Sequence, residues 1–398
     1  MSQLGYMEKL LDGVEVEWKP LGELGELVRG NGLPKKDFTE SGVPAIHYGQ
    51  IYTYYGLSTT ETKSFVSLET AKKLKKVDTG DVVITNTSEN LEDVGKALVY
   101  LGKEQAVTGG HATIFKPSKD ILGKYFAYFT QSIIFSNEKR RYSKGTKVID
   151  VSATDMSKIN IPIPPLNVQA EIVRILDTFT ELTAELTAEL TARQQQYAYY
   201  RDQLLTFEEG SVEWRLLGDV TVYEQPTKYR VKSKEYNDDF LTPVLTAGKT
   251  FILGYTNEVE GIYTASKKPV IIFDDFTTAN KWVDFDFKVK SSAMKMITTA
   301  NESEVMQKYI YYWLNTLPSD LVAGDHKRQW ISNFSNKRIP IPPLSEQKRI
   351  VSILDKFDAL TTSLTEGLPR EIELRQQQYE YYRDLLLSFP KPEVATHD

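Results

Sequence analysis

The sequence predicts an α+β protein in which two globular segments are joined by two long helices that pair as a coiled coil, with internal pseudo-twofold symmetry. Three observations predict this fold class. The chain has 398 residues, which at roughly 100 to 200 residues per domain is enough for two to four folded units. A long string of residues occurs twice, and each copy carries apolar residues at helical spacing. The composition, 41% hydrophobic and 26% charged, is that of an ordinary globular protein.

The internal repeat sets the domain organisation. Ile-Pro-Ile-Pro-Pro-Leu occupies residues 161–166 and recurs at 339–344, and Arg-Gln-Gln-Gln-Tyr occupies 193–197 and recurs at 375–379. Strings of this length do not recur by chance, so the chain has the organisation of a fused dimer. The repeat predicts five segments: a helical tail (1–12), a first globular domain (13–165), a central spacer helix (166–207), a second globular domain (208–343) and a C-terminal spacer helix with a tail (344–398).

Each copy of the repeat predicts a long helix. Asn167 and Ser345 follow Pro-Pro-Leu and are good N-cap residues, so a helix is expected to begin at each. The first helix is expected to end near Phe207 and to be about 60 Å long. Gly367 and Pro369 are expected to interrupt the second helix. Apolar residues three and four apart predict the coiled-coil seam, which consists of Ile172, Ile175, Phe179, Leu182, Leu186, Ile350, Ile353, Phe357, Leu360 and Leu364. The alternative is that each helix lies on its own globular domain.

Three tandem Glu-Leu-Thr-Ala units occupy residues 181–192, in the middle of the first predicted helix. Four residues add about 6 Å of length and about 40° of rotation to an α-helix. Such an insertion disturbs a coiled-coil seam only as a stutter. The number of units is therefore expected to set the separation of the globular domains.

Both globular domains are predicted to be α+β. Apolar runs bounded by turn residues predict strands at 81–84 and 111–115 in the first domain, and at 269–273 and 293–297 in the second. An amphipathic pattern predicts a helix near 305–317.

The composition excludes several classes of protein. There is no cysteine, which excludes disulfides, thiolate metal sites and cysteine nucleophiles. The four histidines are far apart in the sequence, so a histidine-rich metal site is not expected. No apolar run approaches the ~18 residues that a membrane span requires, and the N-terminus lacks the basic and apolar order of a secretory signal. The protein is expected to stay inside the cell and away from membranes.

Two catalytic motifs are matched only weakly, and a third is absent. Gly248-Lys249-Thr250 resembles the end of a phosphate-binding loop, but Pro243 stands where the earlier glycine is required. Asp274 and Asp275, followed by Asp286-Phe287-Lys288, have the rough pattern of a magnesium nuclease, although alternating strand residues explain them as well. The aromatic-flanked Pro-Pro tetrapeptide of base methyltransferases is absent. No catalytic residue and no metal site are therefore predicted.

The order of a globular domain, Ile-Pro-Ile-Pro-Pro-Leu and a long helix with Gln-Gln-Gln-Tyr, given twice, resembles the DNA-specificity subunit of type I restriction-modification enzymes. The resemblance covers essentially the whole chain, and the Glu-Leu-Thr-Ala units look like the spacer of one branch of that family. It implies that each globular domain is a target-recognition domain for one half of a bipartite, asymmetric site in double-stranded DNA. It also implies that the two long helices are antiparallel.

The same resemblance implies a non-catalytic subunit of a multisubunit complex in the prokaryotic cytoplasm. Two methyltransferase subunits would bind S-adenosylmethionine, and restriction subunits, which are motor-nucleases, would use ATP and Mg²⁺; this chain would bind no cofactor. The alternative is a coiled-coil scaffold that binds proteins only. The net charge of −6 favours that alternative, because a polyanion is not attracted by an acidic chain as a whole.

DNA contacts must therefore come from local groups. Basic clusters can hold phosphates, while amide, aromatic and imidazole side chains can reach base edges or stack. In the first domain the candidates are Lys35, Lys36, Tyr48, Gln50, Asn86, His111, Arg140, Arg141, Lys144 and Lys147, with Lys139 part of the same basic cluster. In the second domain they are Lys249, Asn280, Lys281, His326, Lys327, Arg328 and Gln329. On the helices, Tyr199 and Tyr381 point away from the seam, so they are candidates for docking the methyltransferase subunits, or else are stray surface tyrosines.

Overall fold

The computed structural model describes residues 9–246, 250–318, 328–362 and 366–390. The chain forms two compact units, which are described one at a time. The first unit comprises residues 1–185 and 372–398, and the second comprises residues 186–371. Each unit therefore contains one globular domain, the start of one long helical region and the end of the other.

The strands of the first unit, within its described residues, are β1 (Glu17–Pro20), β2 (Gly25–Arg29), β3 (Phe38–Thr39), β4 (Val43–Ile46), β5 (Ser58–Thr59), β6 (Ser64–Val66), β7 (Lys75–Val77), β8 (Val82–Thr85), β9 (Thr87–Ser88), β10 (Ala97–Tyr100), β11 (Ala106–Thr108), β12 (Ala112–Pro117), β13 (Ile149–Asp150) and β14 (Asn160–Ile163). They form one five-stranded sheet in the order β2-β12-β8-β10-β5 and another in the order β3-β6-β4-β11-β7, with β1-β14 and β13-β9 as separate pairs. The helices of this domain are α1 (Tyr48–Thr53), α2 (Leu68–Lys73), α3 (Gly123–Phe129), α4 (Ile133–Tyr142) and α5 (Ala153–Met156).

The central strand β8 shows how the first domain buries its core. Val82 and Ile84 belong to one apolar cluster, together with aromatic residues of α3 and α4. Val83 belongs to a different cluster, with residues from both five-stranded sheets. Because successive side chains of a strand point to opposite faces, both faces of β8 are covered. This explains why β8 is a continuous apolar run rather than an alternating one.

The second unit contains β15 (Glu213–Leu216), β16 (Thr221–Glu224), β17 (Thr242–Leu245), β18 (Ile252–Thr256), β19 (Val270–Asp274), β20 (Asn280–Val283), β21 (Lys288–Val289), β22 (Met294–Thr299) and β23 (Arg338–Ile341). A four-stranded sheet has the order β16-β22-β19-β20, a three-stranded sheet has the order β18-β17-β21, and β15 pairs with β23. The long helix α6 (Leu166–Leu204) precedes these strands, and α7 (Leu217–Val220), α8 (Gln307–Leu314) and α9 (Gln329–Ser332) belong to the domain. The prediction that both domains are α+β is confirmed.

In each unit the first and last strands of the globular domain form an antiparallel pair, which we call the closing strands. In the first unit Glu17 pairs with Ile163 and Trp18 with Pro162 in the antiparallel pair β1-β14. The pair β15-β23 has the same register. Proline is tolerated here because a two-stranded ribbon has free edges where no N–H is needed. The Ile-Pro-Ile string is thus the last strand of each domain, placed directly before the long helix.

Each long helix begins before its predicted N-cap residue. The helix α6 starts at Leu166, and α10 (Leu344–Thr361) starts at Leu344 with Pro343 at the N-cap position and no side-chain cap. The expectation that Asn167 and Ser345 are N-caps was therefore wrong. The N–H of Gln169 donates to the carbonyl of Pro165 at 3.0 Å, so Asn167 already lies within the first turn.

The C-terminal helical region is interrupted, as Gly367 and Pro369 predict. The helix α10 ends at Thr361, and α11 (Gly367–Leu386) begins at Gly367, which has a φ of 74°. Such a positive φ suits glycine because it has no Cβ.

Helices pair within each unit. In the first unit the ring of Phe179 in α6 stacks on Tyr382 in α11, with 5.3 Å between centroids. In the second unit Phe357 in α10 stacks on Tyr200 in α6 at 5.7 Å. The start of α6 thus meets the end of α11, and the end of α6 meets α10. The helices are antiparallel.

The predicted seam residues differ in burial. Ile172, Ile175 and Ile350 are buried, and the others within the described residues are half-buried. Leu176 and Leu354, outside the predicted seam, are fully buried with the core of their own domain. The first turns of each helix therefore also lie on a globular domain, which was the alternative interpretation. Leu364 lies outside the described residues.

No helix in the part of the chain that the structure describes is long and apolar enough to span a membrane.

Candidate nucleic-acid interface

An aromatic and histidine patch lies on the first unit, and we call His47, Tyr48 and His111 the His-Tyr patch. The ring of Tyr48, at the start of α1, lies 4.8 Å from that of His111 and 4.6 Å from that of His47 between centroids. Nδ1 of His111 lies 3.0 Å from Oγ1 of Thr87. His111 is exposed and Tyr48 is half-buried. The structure thus brings the predicted Tyr48 and His111 together.

His47 was not predicted as a contact, although it directly precedes Tyr48 and caps α1. Its Nδ1 accepts a hydrogen bond from the N–H of Gly49 at 3.2 Å, which places the imidazole proton on Nε2 in the neutral ring. Burial lowers the pKa of His47, and electrostatic interactions with Lys35 and His111 lower it further. Lys35 and Lys36 are exposed on a short turn of 3₁₀ helix. The patch therefore combines ring faces, an N–H donor and nearby cations.

Two predicted amide contacts are not accessible to a base edge, one because it is buried and the other because its amide is already hydrogen-bonded. Asn86 is fully buried, and neither atom of its amide has a hydrogen-bond partner among the described residues. Burial keeps Asn86 from reaching a base edge in this structure, contrary to the expectation. Gln50 is half-buried. Its Nε2 donates to Oγ of Ser64 at 2.5 Å, and its Oε1 accepts from the hydroxyl of Tyr55 at 3.4 Å.

The last turn of α4 presents cations to solvent. Arg140 and Arg141 are both exposed there, and positive charge at a helix C-terminus is favourable. Arg141 also lies 3.2 Å from a carboxylate oxygen of Glu138. Lys147 is exposed in the following loop. These groups are placed where a phosphate can reach them.

Other lysines of this cluster have local partners. Lys139 is buried, and its ammonium donates to the carbonyls of Glu92 at 2.9 Å and Val94 at 2.7 Å. Burial lowers the pKa of Lys139 to about 8, so Lys139 is a structural residue and not a phosphate contact. Lys144 forms an ion pair with Asp155 at 2.8 Å while remaining exposed.

The second unit presents fewer of the predicted contacts. Lys281 in β20 and Arg328 before α9 are exposed. Asn280 is half-buried, and its Oδ1 has no hydrogen-bond partner among the residues described. Gln329 is buried, and its N–H donates to the carbonyl of Asp275 at 2.8 Å. Predicted contacts outside the described residues are Lys249, His326 and Lys327.

Tyr199 and Tyr381 occupy matching positions on the helices of the two units. Tyr199 is 62% exposed and Tyr381 is 56% exposed. Each makes an edge contact with the next tyrosine along its helix, at 5.5 Å and 5.3 Å between centroids. Each unit therefore carries an unusually exposed aromatic ring on a helix.

A buried glutamine fixes each domain to the start of its long helix. Gln169 is fully buried. Its Nε2 donates to the carbonyls of Asp120 and Pro164, both at 2.9 Å, and its Oε1 accepts from the N–H of Leu122 at 2.9 Å. The same three bonds in the second unit join Gln347 to Glu304, Pro342 and Met306.

A short helix completes this cluster in each unit. In the first, Lys124 lies 2.7 Å from Asp177, the hydroxyl of Tyr128 donates to Asp177 at 2.8 Å, and that of Tyr125 donates to the carbonyl of Pro162 at 2.9 Å. The second unit repeats these contacts with Lys308, Tyr312, Asp355, Tyr309 and Pro340. We call these side chains the helix anchor, which consists of Lys124, Tyr125, Tyr128, Gln169 and Asp177 in the first unit and of Lys308, Tyr309, Tyr312, Gln347 and Asp355 in the second.

Sequence reasoning missed the helix anchor for a definable reason. Lys-Tyr-x-x-Tyr occurs at 124–128 and again 184 positions later at 308–312. Gln169 and Asp177, however, recur at an offset of 178. The repeated strings were recognised at the junctions and along the helices, whereas Lys-Tyr-x-x-Tyr lies inside the globular domains, whose sequences otherwise differ.

The chain matches the model of a known protein family over most of its length. The family model of the type I restriction modification DNA specificity domain matches residues 13–193 and 211–374. The chain therefore belongs to this family of DNA-specificity subunits. The predicted role as a non-catalytic DNA-recognition subunit is confirmed by that membership, and the alternative of a scaffold that binds only proteins gains no support.

Two curated relatives carry the same description. The specificity subunit of the type I restriction enzyme EcoR124I/EcoR124II of Escherichia coli is 63% identical over 202 residues, which are 49% of this chain and 48% of that protein. That match spans about half of each chain. A putative type I restriction enzyme specificity subunit of Haemophilus influenzae is 32% identical over 405 residues, covering 96% of this chain and 98% of that one.

Solved structures show the same fold. The crystal structure of the type I restriction-modification S subunit from M. genitalium has a TM-score of 0.61 at 13% identity, covering 96% of this chain and 98% of the other. A chain from a study of complex assembly and conformational transition in a type I system has a TM-score of 0.52 at 15% identity, with 95% and 98% covered. At these identities the likeness concerns the fold alone.

Proposed function

We propose that this chain reads a bipartite, asymmetric site in double-stranded DNA, with one half-site for each globular domain. One observation carries the proposal: a repeated scaffold, identical in the register of its closing strands, holds two domains that differ in their sheets. A symmetric dimer reads a palindrome. Two different domains on a duplicated scaffold therefore suit two different half-sites.

The exposed cations and rings define the proposed DNA surface. In the first unit the His-Tyr patch supplies stacking faces and donors, while Lys35, Lys36, Arg140 and Arg141 supply charge for phosphates. In the second unit Lys281 and Arg328 have this role, and the sequence adds Lys249, His326 and Lys327.

The proposed complex contains two methyltransferase subunits and motor-nuclease subunits. The methyltransferase subunits bind S-adenosylmethionine, the restriction subunits use ATP and Mg²⁺, and this chain binds no cofactor. Tyr199 and Tyr381 dock the methyltransferase subunits, and the complex works in the prokaryotic cytoplasm. Support comes from the family and from the neighbour studied for complex assembly. We further propose that the chain belongs to the branch of the family in which Glu-Leu-Thr-Ala units form the spacer, because three such units occupy residues 181–192.

A domain exchange tests this proposal. Residues 13–165 are replaced by the matching domain of the H. influenzae relative, and the assembled methyltransferase is used to map modified bases in a bacterial genome. We expect one half of the recognised site to change and the other half to persist. If the native assembly shows no two-part site, or if the exchange leaves both halves intact, the proposal is wrong.

A further inference from the structure

The helix anchor is the same in two domains that otherwise differ. The first domain has two five-stranded sheets, whereas the second has a four-stranded and a three-stranded sheet. Even so, Gln169 and Gln347 each make three hydrogen bonds to backbone groups at equivalent positions in the two units. Asp177 and Asp355 each hold one lysine and one tyrosine. The two anchors therefore share the contacts that orient a domain on its helix, although the two domains have different sheets.

The contacts of the helix anchor favour a single orientation of each domain on its helix. The rings of Tyr125, Tyr128, Tyr309 and Tyr312 are buried, and burial raises the pKa of Tyr128, so its hydroxyl stays protonated as a donor. A domain that tilted on its helix would leave buried amide, hydroxyl and carbonyl groups without partners. A buried polar group without a partner is unfavourable because it has given up its hydrogen bonds to water. The glutamines and tyrosines of the anchor are buried, while Asp177 and Asp355 are partly exposed. The native geometry is therefore preferred chiefly because it satisfies the buried amide and hydroxyl groups.

We propose that the helix anchor is the positioning device that fixes which half-site separation the protein accepts. This inference rests on the bipartite recognition proposed above. A tilt of about 10° acting over about 30 Å of helix displaces a domain by about 5 Å. Because base pairs rise by about 3.4 Å, that displacement corresponds to about one to two base pairs. A rigid anchor is thus needed if a separation of one length is to be distinguished from the next.

Conservative variants of the anchor test the inference. Tyr128→Phe and Tyr312→Phe each remove one hydroxyl and keep the ring, and Gln169→Leu removes three hydrogen bonds at similar volume. The assembled complex is offered duplexes with the native half-sites separated by the native spacer or by one or two base pairs more or fewer. We expect each variant to lower the discrimination between the native and neighbouring spacers, by about fivefold for one lost hydrogen bond. The bases preferred in each half-site stay the same.

The control is Arg174→Gln, which removes an exposed ion pair between Arg174 and Glu171 within α6 and should leave spacer discrimination unchanged. If Tyr128→Phe and Tyr312→Phe weaken binding equally at every spacer, or change nothing, the anchor is only structural and the inference is wrong. Should Gln169→Leu fail to fold, the two tyrosine variants still decide the question. A native protein with no two-part site would instead overturn the proposed function.

Discussion

Neighbouring basic residues of α4 differ in what surrounds them, and their surroundings determine their roles. Arg140 and Arg141 are exposed, whereas Lys139 is buried against two carbonyls. We predict that Arg140→Gln combined with Arg141→Gln weakens DNA binding and lowers the slope of log affinity against log salt by about one to two, because each phosphate contact contributes about 0.9. Lys139→Met should leave that slope unchanged. Affinity measured across a salt series with the assembled complex checks both, and an unchanged slope for the arginine pair contradicts their assignment.

His47 gives a prediction about pH. Its pKa is lowered in the folded protein, chiefly by burial, so the unfolded chain binds the proton more readily. The stability that neutral His47 contributes is therefore fully present above about pH 6.5 and is lost as pH falls toward the folded pKa. We expect the free energy of unfolding to fall less between pH 7.5 and 5.5 in His47→Gln than in the native protein. Urea unfolding at both pH values tests this, and equal falls in the two proteins would contradict it.

Residue type predicted only in part which candidate side chains are exposed. Lysine, arginine and histidine were chosen by charge and ring chemistry, and most of those described are indeed at the surface. Asn86, Gln329 and Lys139 are buried. Their burial depends on strands and helices that are distant in sequence, as when Val151 donates its N–H to the carbonyl of Asn86. Composition and spacing carry no signal for such packing.

Single elements were predictable where the sequence pattern is long. The predicted strands at 81–84 and 269–273 correspond to β8 and β19, and the helix near 305–317 corresponds to α8. The second five-stranded sheet was not predicted, because several of its strands have only two or three residues, too few to show a period. The predicted N-caps were wrong because the helices begin directly after Pro165 and Pro343, so that Asn167 and Ser345 lie within the first turn.

The exposed faces of the long helices give a prediction about assembly. Tyr199 and Tyr381 expose more than half of their surface, and aromatic rings are enriched at protein interfaces. We expect Tyr199→Ser with Tyr381→Ser to weaken binding of the methyltransferase subunits by at least about tenfold, since aromatic contacts of this kind often contribute over 1 kcal/mol. Tyr54→Ser is the matched control, because Tyr54 is 58% exposed but lies on a globular domain. Assembly that is unaffected by the helix variant would identify these tyrosines as surface residues without a partner.

The three tandem Glu-Leu-Thr-Ala repeats span the position in the chain at which the first compact unit ends and the second begins. The helix α6 is continuous through residues 181–192, and the boundary between the units falls after Glu185. Deleting one Glu-Leu-Thr-Ala unit removes about 6 Å of helix, so we expect the unread spacer of the DNA site to shorten by about one to two base pairs at 3.4 Å each. The half-sites should not change, because neither domain is altered. Mapping modified bases for the native and shortened proteins measures both, with Thr187→Ala as a control that preserves length. An unchanged spacer in the shortened protein would show that the helix does not set the separation.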